Sequence, residues 1–152
     1  MALFESAAIL VYLAEKTGQL MPTDPAGRME ALQWLFFQMG AVGPMFGQVG
    51  YFFKFAGREI EDKRPLNRYR DESKRLLGVL ETRLKDRPWM MGEAYSVVDI
   101  SLLGWVRNLI GFYGARELVD YDSLTHVPLW LDRCLARPAV QRGLEIPARP
   151  AS

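Results

Sequence analysis

The sequence has one cysteine, Cys134, and one histidine, His126, among its 152 residues. Such a pair supplies neither a disulfide framework nor a zinc site of several Cys and His ligands, and a reducing, cytoplasmic compartment is the expectation. Charge of one sign is also missing, since 19 Lys and Arg face 18 Asp and Glu for a net charge of +1. That balance excludes the basic footprint of a general nucleic-acid binder. The opening Met1-Ala2-Leu3-Phe4-Glu5 places no basic residue ahead of its apolar stretch, so it does not read as a signal peptide. No phosphate-cradling glycine loop, hydrolase nucleophile elbow or metal-ligand spacing occurs. No segment alternates as a strand, and there is no internal repeat.

One long uncharged run does occur, from Ala31 to Phe53. It is long enough to raise the question of a membrane span. It also holds Gln33, Gln38, Gln48, four glycines and Pro44. Amides are costly in lipid and a Gly-Pro break frees backbone groups there, so the run reads as a buried bundle segment with no membrane partner.

What the chain does have is apolar content, 49%, with 24% charged residues. That is enough for one well-buried core. The apolar positions recur with helical period. Leu32, Leu35, Phe36, Met39 and Val42 fall at i, i+3, i+4, i+7 and i+10, which predicts a helix from about Pro25 that breaks or kinks at Gly40 to Pro44. Met45, Val49, Phe52 and Phe53 continue a second piece, and Arg58 to Pro65 reads as a polar loop. Leu66, Tyr69, Ser73, Leu76, Leu77, Leu80 and Leu84 mark one stripe of a long outer helix. Val127, Trp130, Leu131, Cys134 and Leu135 repeat the pattern until Pro138 ends it.

The sharpest local signal is Tyr95-Ser96-Val97-Val98-Asp99-Ile100. Ser96 and Asp99 have the spacing of a reciprocal capping box, with Tyr95 placed to staple against Ile100. From Ile100 to Ala115 the helix that starts there is apolar on all sides and carries only Arg107 as a charge, which puts it in the middle of the bundle. The predicted fold class is all-α, a helical bundle of five or more helices.

Glu5-Ser6-Ala7-Ala8-Ile9-Leu10-Val11-Tyr12-Leu13-Ala14-Glu15-Lys16 resembles the helix that closes the thioredoxin-like half of glutathione transferases. The capping box, the stretch Gly40 to Gln48 and the ending Leu135-Ala136-Arg137-Pro138 to Leu144 are similar to bacterial nu-class and disulfide-reductase-like members of that family. The resemblance implies that residues 1–20 are the last helix of a thioredoxin-like domain with its linker, and that residues 21–152 are the family's C-terminal helical domain. It further implies that the thiol-activating residue precedes this sequence, so no catalytic residue is assigned and the chain alone is expected to be inactive.

The chemistry that remains is binding. Ser6 at a helix N-terminus offers a hydroxyl and free amides to a carboxylate, and Glu5 beside it could hold an ammonium. The γ-glutamyl end of glutathione carries both groups, and glutathione, as substrate, is the ligand the family implies for them; the alternative is that Ser6 merely caps its helix. By the same resemblance Gln38 and Arg75 match positions that reach glutathione on the neighbouring subunit of a homodimer, against the plainer reading of Arg75 as a solvated charge. Phe46, Trp105 and Asn108 are candidates for the wall of a pocket for a small electrophile or disulfide, with core packing as their alternative. Met39 and Met45 read as gap-fillers, and Cys134, on an apolar stripe, as an inert buried thiol. Two functions stay open: glutathione-dependent conjugation or disulfide reduction in an intact protein, and a non-catalytic helical interaction module.

Overall fold

The structure, a computed structural model, describes residues 2–146. Seven α-helices follow one another: α1 (Ser6–Thr17), α2 (Pro25–Phe37), α3 (Gly43–Phe53), α4 (Arg64–Leu84), α5 (Val97–Arg107), α6 (His126–Leu135) and α7 (Pro138–Leu144). No strand occurs among the described residues; the nearest thing to one is a single bridge between Trp89 and Gly92. No helix among them is long and apolar enough to cross a membrane. The all-α bundle predicted from periodicity is therefore the fold.

The helix expected to break or kink at Gly40 to Pro44 does not end there but changes its winding. Gln38–Val42 form a π-helical turn that joins α2 to α3 with every flanking residue still in right-handed helical conformation. Pro44 explains the widening. It has no amide to give and its ring crowds the carbonyl four residues back, so the ladder shifts to an i to i−5 bond in which Gly43 N donates to Gln38 O. The same device recurs at the end of α5. Asn108–Phe112 form a second π turn, closed by Tyr113 N donating to Asn108 O at 2.9 Å.

The second turn delivers Tyr113 onto α3. A Cβ at Gly50 would lie 2.4 Å from the Tyr113 ring, so only glycine allows this approach. Beyond α3, the segment read as a loop contains a 3-10 turn, Ala56–Glu59, before α4 starts at Arg64.

At the centre lies α5, packed against α1, α2, α6 and the first π turn. Its capping box forms as the sequence predicts. Ser96 is extended, its hydroxyl caps the first turn, and Asp99 Oδ2 accepts from Ser96 N at 2.9 Å. Tyr95 packs chiefly edge-on against Trp89 at 4.9 Å, with the Arg137 guanidinium 3.9 Å from its ring. Asp99 does more than cap. Fully buried, its Oδ1 also accepts from Met90 N and from Trp130 Nε1, both at 2.9 Å, and so fastens the α4–α5 connection and α6 to the central helix.

The N-terminus of α6 is closed by a residue from another helix. Glu81 of α4 accepts from the backbone amides of Thr125, His126 and Val127 at 2.8 to 3.0 Å. Burial raises the carboxyl's pKa, but the three amides outweigh it and hold it below the usual carboxylate range. The positive end of the α6 dipole favours the same charge.

Candidate functional site

The site is built from the start of α1 and the first π turn. Glu5 precedes α1 with φ 68° and ψ 115°, a left-handed φ rarely adopted by a residue with a side chain. Strain of that kind persists where the surroundings hold it. Glu5 opens onto a groove between α1 and α2 that also presents Tyr12, Leu32 and Phe36. Ser6 opens onto a second groove, of about 360 Å³, over the π turn, with Gln38, Gly43, Gly47, Gln48 and Trp105. Met39 lines both and is the wall they share.

Ser6 is not a helix cap. It is the first residue inside α1, no side chain caps that helix, and its hydroxyl instead donates to the Met39 thioether at 3.6 Å. The first intrahelical bond runs from Ile9 N to Glu5 O, so the amides of Ser6, Ala7 and Ala8 have no partner within the helix. A carboxylate fits such a terminus, and the exposed Glu5 carboxylate sits beside it for a cation.

Gln38 is 2% exposed, yet its amide makes no hydrogen bond to protein among the described residues while lining the second groove. Trp105, on α5, brings its indole to the same place. The position a Cβ would take on Gly43 is 3.0 Å from Gln38 Nε2 and 3.2 Å from Trp105 Nε1. Gly43 and Gly47, four residues apart on one face of α3, let the Trp105 ring, and at Gly43 the Gln38 amide, pack close against the helix. Their spacing opposite a tryptophan was the sequence signal for the groove, and neither glycine was singled out by it.

The other expected site residues lie elsewhere. Phe46 is fully buried in the core and faces no groove, because the inward stripe of α3 runs Val42, Phe46, Val49; as a pocket wall it is corrected. Asn108 is half-buried at the head of the second π turn and lines neither groove. Arg75 is paired with Glu72 at 2.7 Å and borders a separate surface depression with Trp34 and Gly78. Within one chain the structure thus joins Ser6, Gln38 and Trp105, with Glu5 across the shared Met39 wall, and leaves Arg75, Phe46 and Asn108 apart.

The hydroxyls that adjoin these grooves among the described residues are those of Tyr12 in the first and Ser6 in the second. Burial, reinforced by the nearby Asp99, pushes the Cys134 thiol far up, which keeps it protonated and inert. Tyr113 is packed on Gly50 and Tyr51 over Gly57. Among the described residues no three His, Cys, Asp or Glu side chains gather as a metal site would require.

Comparison with known proteins agrees with this geometry. Residues 42–138 match the family model described as glutathione S-transferase, C-terminal domain. The chain is 40% identical over 142 residues to the disulfide-bond oxidoreductase YghU of Escherichia coli, covering 92% of this chain and 49% of that protein. A glutathione transferase from Burkholderia graminis, solved with two glutathione molecules bound per subunit, superposes with a TM-score of 0.96 at 61% identity, covering 99% of this chain and 62% of that one. A glutathione transferase from Pseudomonas putida, solved with one glutathione disulfide per subunit, gives a TM-score of 0.95 at 60% identity over 97% of this chain and 64% of that one. The chain spans between half and two thirds of the length of these relatives. With the family model covering most of its helices and solved relatives above half identity along nearly its whole length, the chain belongs to the glutathione S-transferase family.

Proposed function

We propose that this chain is the helical portion of a glutathione-dependent disulfide oxidoreductase, in which Glu5 and Ser6 hold the γ-glutamyl end of glutathione and the groove over Gly43 receives the second substrate. The observation that carries the reading is the start of α1, where the Glu5 carboxylate on one side of Met39 and the Ser6 hydroxyl with three amides without helical partners on the other belong to consecutive residues. An α-ammonium pairs with the first and an α-carboxylate with the rest. Relatives bearing the disulfide-bond oxidoreductase name and a solved relative holding glutathione disulfide favour disulfide exchange over conjugation.

In that exchange a glutathione thiolate attacks one sulfur of the substrate disulfide and expels the other as a thiolate. A second glutathione thiolate then attacks the glutathione sulfur of the mixed disulfide, forming glutathione disulfide and expelling the remaining substrate sulfur as a thiolate, and the two departing thiolates take up the protons the glutathiones gave up. The first step needs a donor or base within about 3 Å of the glutathione sulfur. The reading gives Glu5 and Ser6 to the other end of the tripeptide and assigns that group to a thioredoxin-like domain acting with this one. Residues 1–20 then belong structurally to that domain, residues 21–152 form the helical domain, and the working protein is a cytoplasmic homodimer in which Gln38 and Arg75 approach the partner's ligand. The test is glutathione-dependent disulfide reduction by the 152-residue chain beside a version preceded by a thioredoxin-like domain. The expected result is turnover only in the second; equal turnover in both overturns the assignment.

The non-catalytic alternative has one observation of its own. Phe4, Ile9 and Leu13 stand exposed along the outer side of α1, Phe4 at 81%, and apolar surface of this kind promotes association. A strictly monomeric sedimentation profile at high concentration removes that support.

A further inference from the structure

The C-terminal end of α4 carries a surface of a different kind. A depression of about 330 Å³ lies between the residues that follow the helix, among them Lys85, Asp86 and Arg87, and the outer side of α6, which adds His126, Leu129 and Arg133. It shares no residue with the two grooves at the start of α1. Three permanent cations meet one carboxylate there, in a chain whose net charge is only +1. Elsewhere surface cations pair with neighbouring acids, as Arg28 does with Glu15, Arg75 with Glu72 and Arg116 with Asp122. None of Lys85, Arg87 and Arg133 has an ion pair among the described residues.

Cations are favoured at the C-terminal end of a helix, where they face its free carbonyls. That accounts for Lys85 and Arg87 but not for Arg133, which comes from another helix. Arg133 is fixed in place by donating Nη1 to Pro88 O at 2.7 Å, with its guanidinium 5.6 Å from the Trp89 ring. Glu81, the carboxylate closest to His126, is already engaged by three amides of α6 and is no counter-charge for the group. Those amides would otherwise converge on a phosphate; with them taken, the depression offers only side-chain cations from two separate elements. Among these charges Leu129 stands 55% exposed. Separated cations around an apolar residue match an extended chain that carries carboxylates on both sides of an apolar side chain. We propose that this depression is a docking surface for an acidic peptide segment of another protein, its carboxylates facing Lys85, Arg87 and Arg133 and one apolar side chain seated on Leu129. The surface lies outside the proposed glutathione site, so the two readings stand or fall separately.

The test is a titration of the 152-residue chain followed by the backbone amide resonances of Arg87, Leu129 and Arg133, with Ser6 as the reference for the other site. Three probes are used: a capped peptide of glutamates flanking a central leucine, the same peptide with serine for leucine, and inorganic phosphate. The expected result is that the leucine peptide moves the three resonances and leaves Ser6 in place, that the serine peptide binds about threefold or more weakly, and that added salt weakens both. Lys85→Glu and Arg87→Glu, at exposed positions, should leave the unfolding midpoint near wild type and together weaken binding about tenfold or more. Affinity unchanged in the double variant, a serine peptide that binds as tightly, or shifts spread over the whole surface overturns the proposal. A response of the same resonances to phosphate with the peptides silent overturns it in favour of a small-anion site.

Discussion

Two polar residues six positions apart on the central helix behave in opposite ways. Asp99, at the start of α5, accepts hydrogen bonds from Ser96, Met90 and Trp130, so each of its carboxylate oxygens is occupied. Trp105, nearly two turns on, holds an indole N–H with no protein acceptor among the described residues, its ring packed against two glycines at the edge of a groove. The first arrangement ties three elements together and leaves no capacity for anything else. The second adds little to the fold and keeps its capacity for a ligand. An unmet hydrogen bond does not by itself mark a site, since Ser73 Oγ, the Tyr95 and Tyr121 hydroxyls and Arg137 Nε are also buried without a partner among the described residues and line neither groove.

The comparison breaks most visibly at Asp99. Asp99→Ala strands the Met90 amide, the Ser96 amide and the Trp130 indole, and should cost about 3 kcal/mol or more, well beyond the ~1 kcal/mol of a simple cap. Chemical denaturation reads this as a large fall in midpoint, and Asp99→Asn should recover part of it. A loss no greater than that of a simple cap would show that the links to α6 and Met90 are not energetically coupled to α5.

Gly50→Ala comes next. Its methyl meets the Tyr113 ring at 2.4 Å, and overpacking of this kind costs about 1–3 kcal/mol. Thermal unfolding of the variant alone and with Tyr113→Ala should show the double mutant partly rescued.

Glu81 contributes a pH dependence whose direction follows from its lowered pKa. A carboxyl with a folded-state pKa below its unfolded value, about 4.3 for glutamate, stabilises fully above that value and loses the contribution as pH falls through the folded one. Unfolding midpoints should therefore drop below about pH 4, and Glu81→Gln should flatten that acid limb while lowering stability near neutrality. A wild-type acid limb unchanged in the variant would remove Glu81 as the cap of α6.

The smallest expected effect sharpens the contrast. Gln38→Leu removes a buried amide that bonds to nothing in the protein, so stability should stay within about 0.5 kcal/mol or rise slightly. A loss comparable to that of Asp99→Ala would mean that Gln38 belongs to the scaffold.

Much of the fold was legible because helical periodicity and the Ser96–Asp99 spacing are local signals. The capping box needed only four residues, and the apolar stripes of α4 and α6 predicted their buried sides. Long-range partners were not legible. Nothing near Glu81 announces a cap for a helix that begins 45 residues later, and nothing near Asp99 announces Trp130. The break or kink expected at Gly40 to Pro44 takes the form of a π turn for a definable reason: the rule that proline ends a helix assumes an i to i−4 ladder, and a π turn supplies another. At the site, Ser6 and Trp105 were visible as residue types, whereas their meeting with Gln38 depends on the π turn that stands where a break or kink was expected.

The contact between Ser6 and Met39 carries a consequence for how a ligand enters. A thioether is a weak acceptor, so the Ser6 hydroxyl is aimed and kept ordered by a partner that holds it loosely. An arriving carboxylate or carbonyl oxygen offers a stronger bond and takes the hydroxyl over without any backbone movement, and the flexible methionine can swing aside into either of the grooves it separates. Met39 is in this sense a placeholder that gives way to the molecule it stands in for.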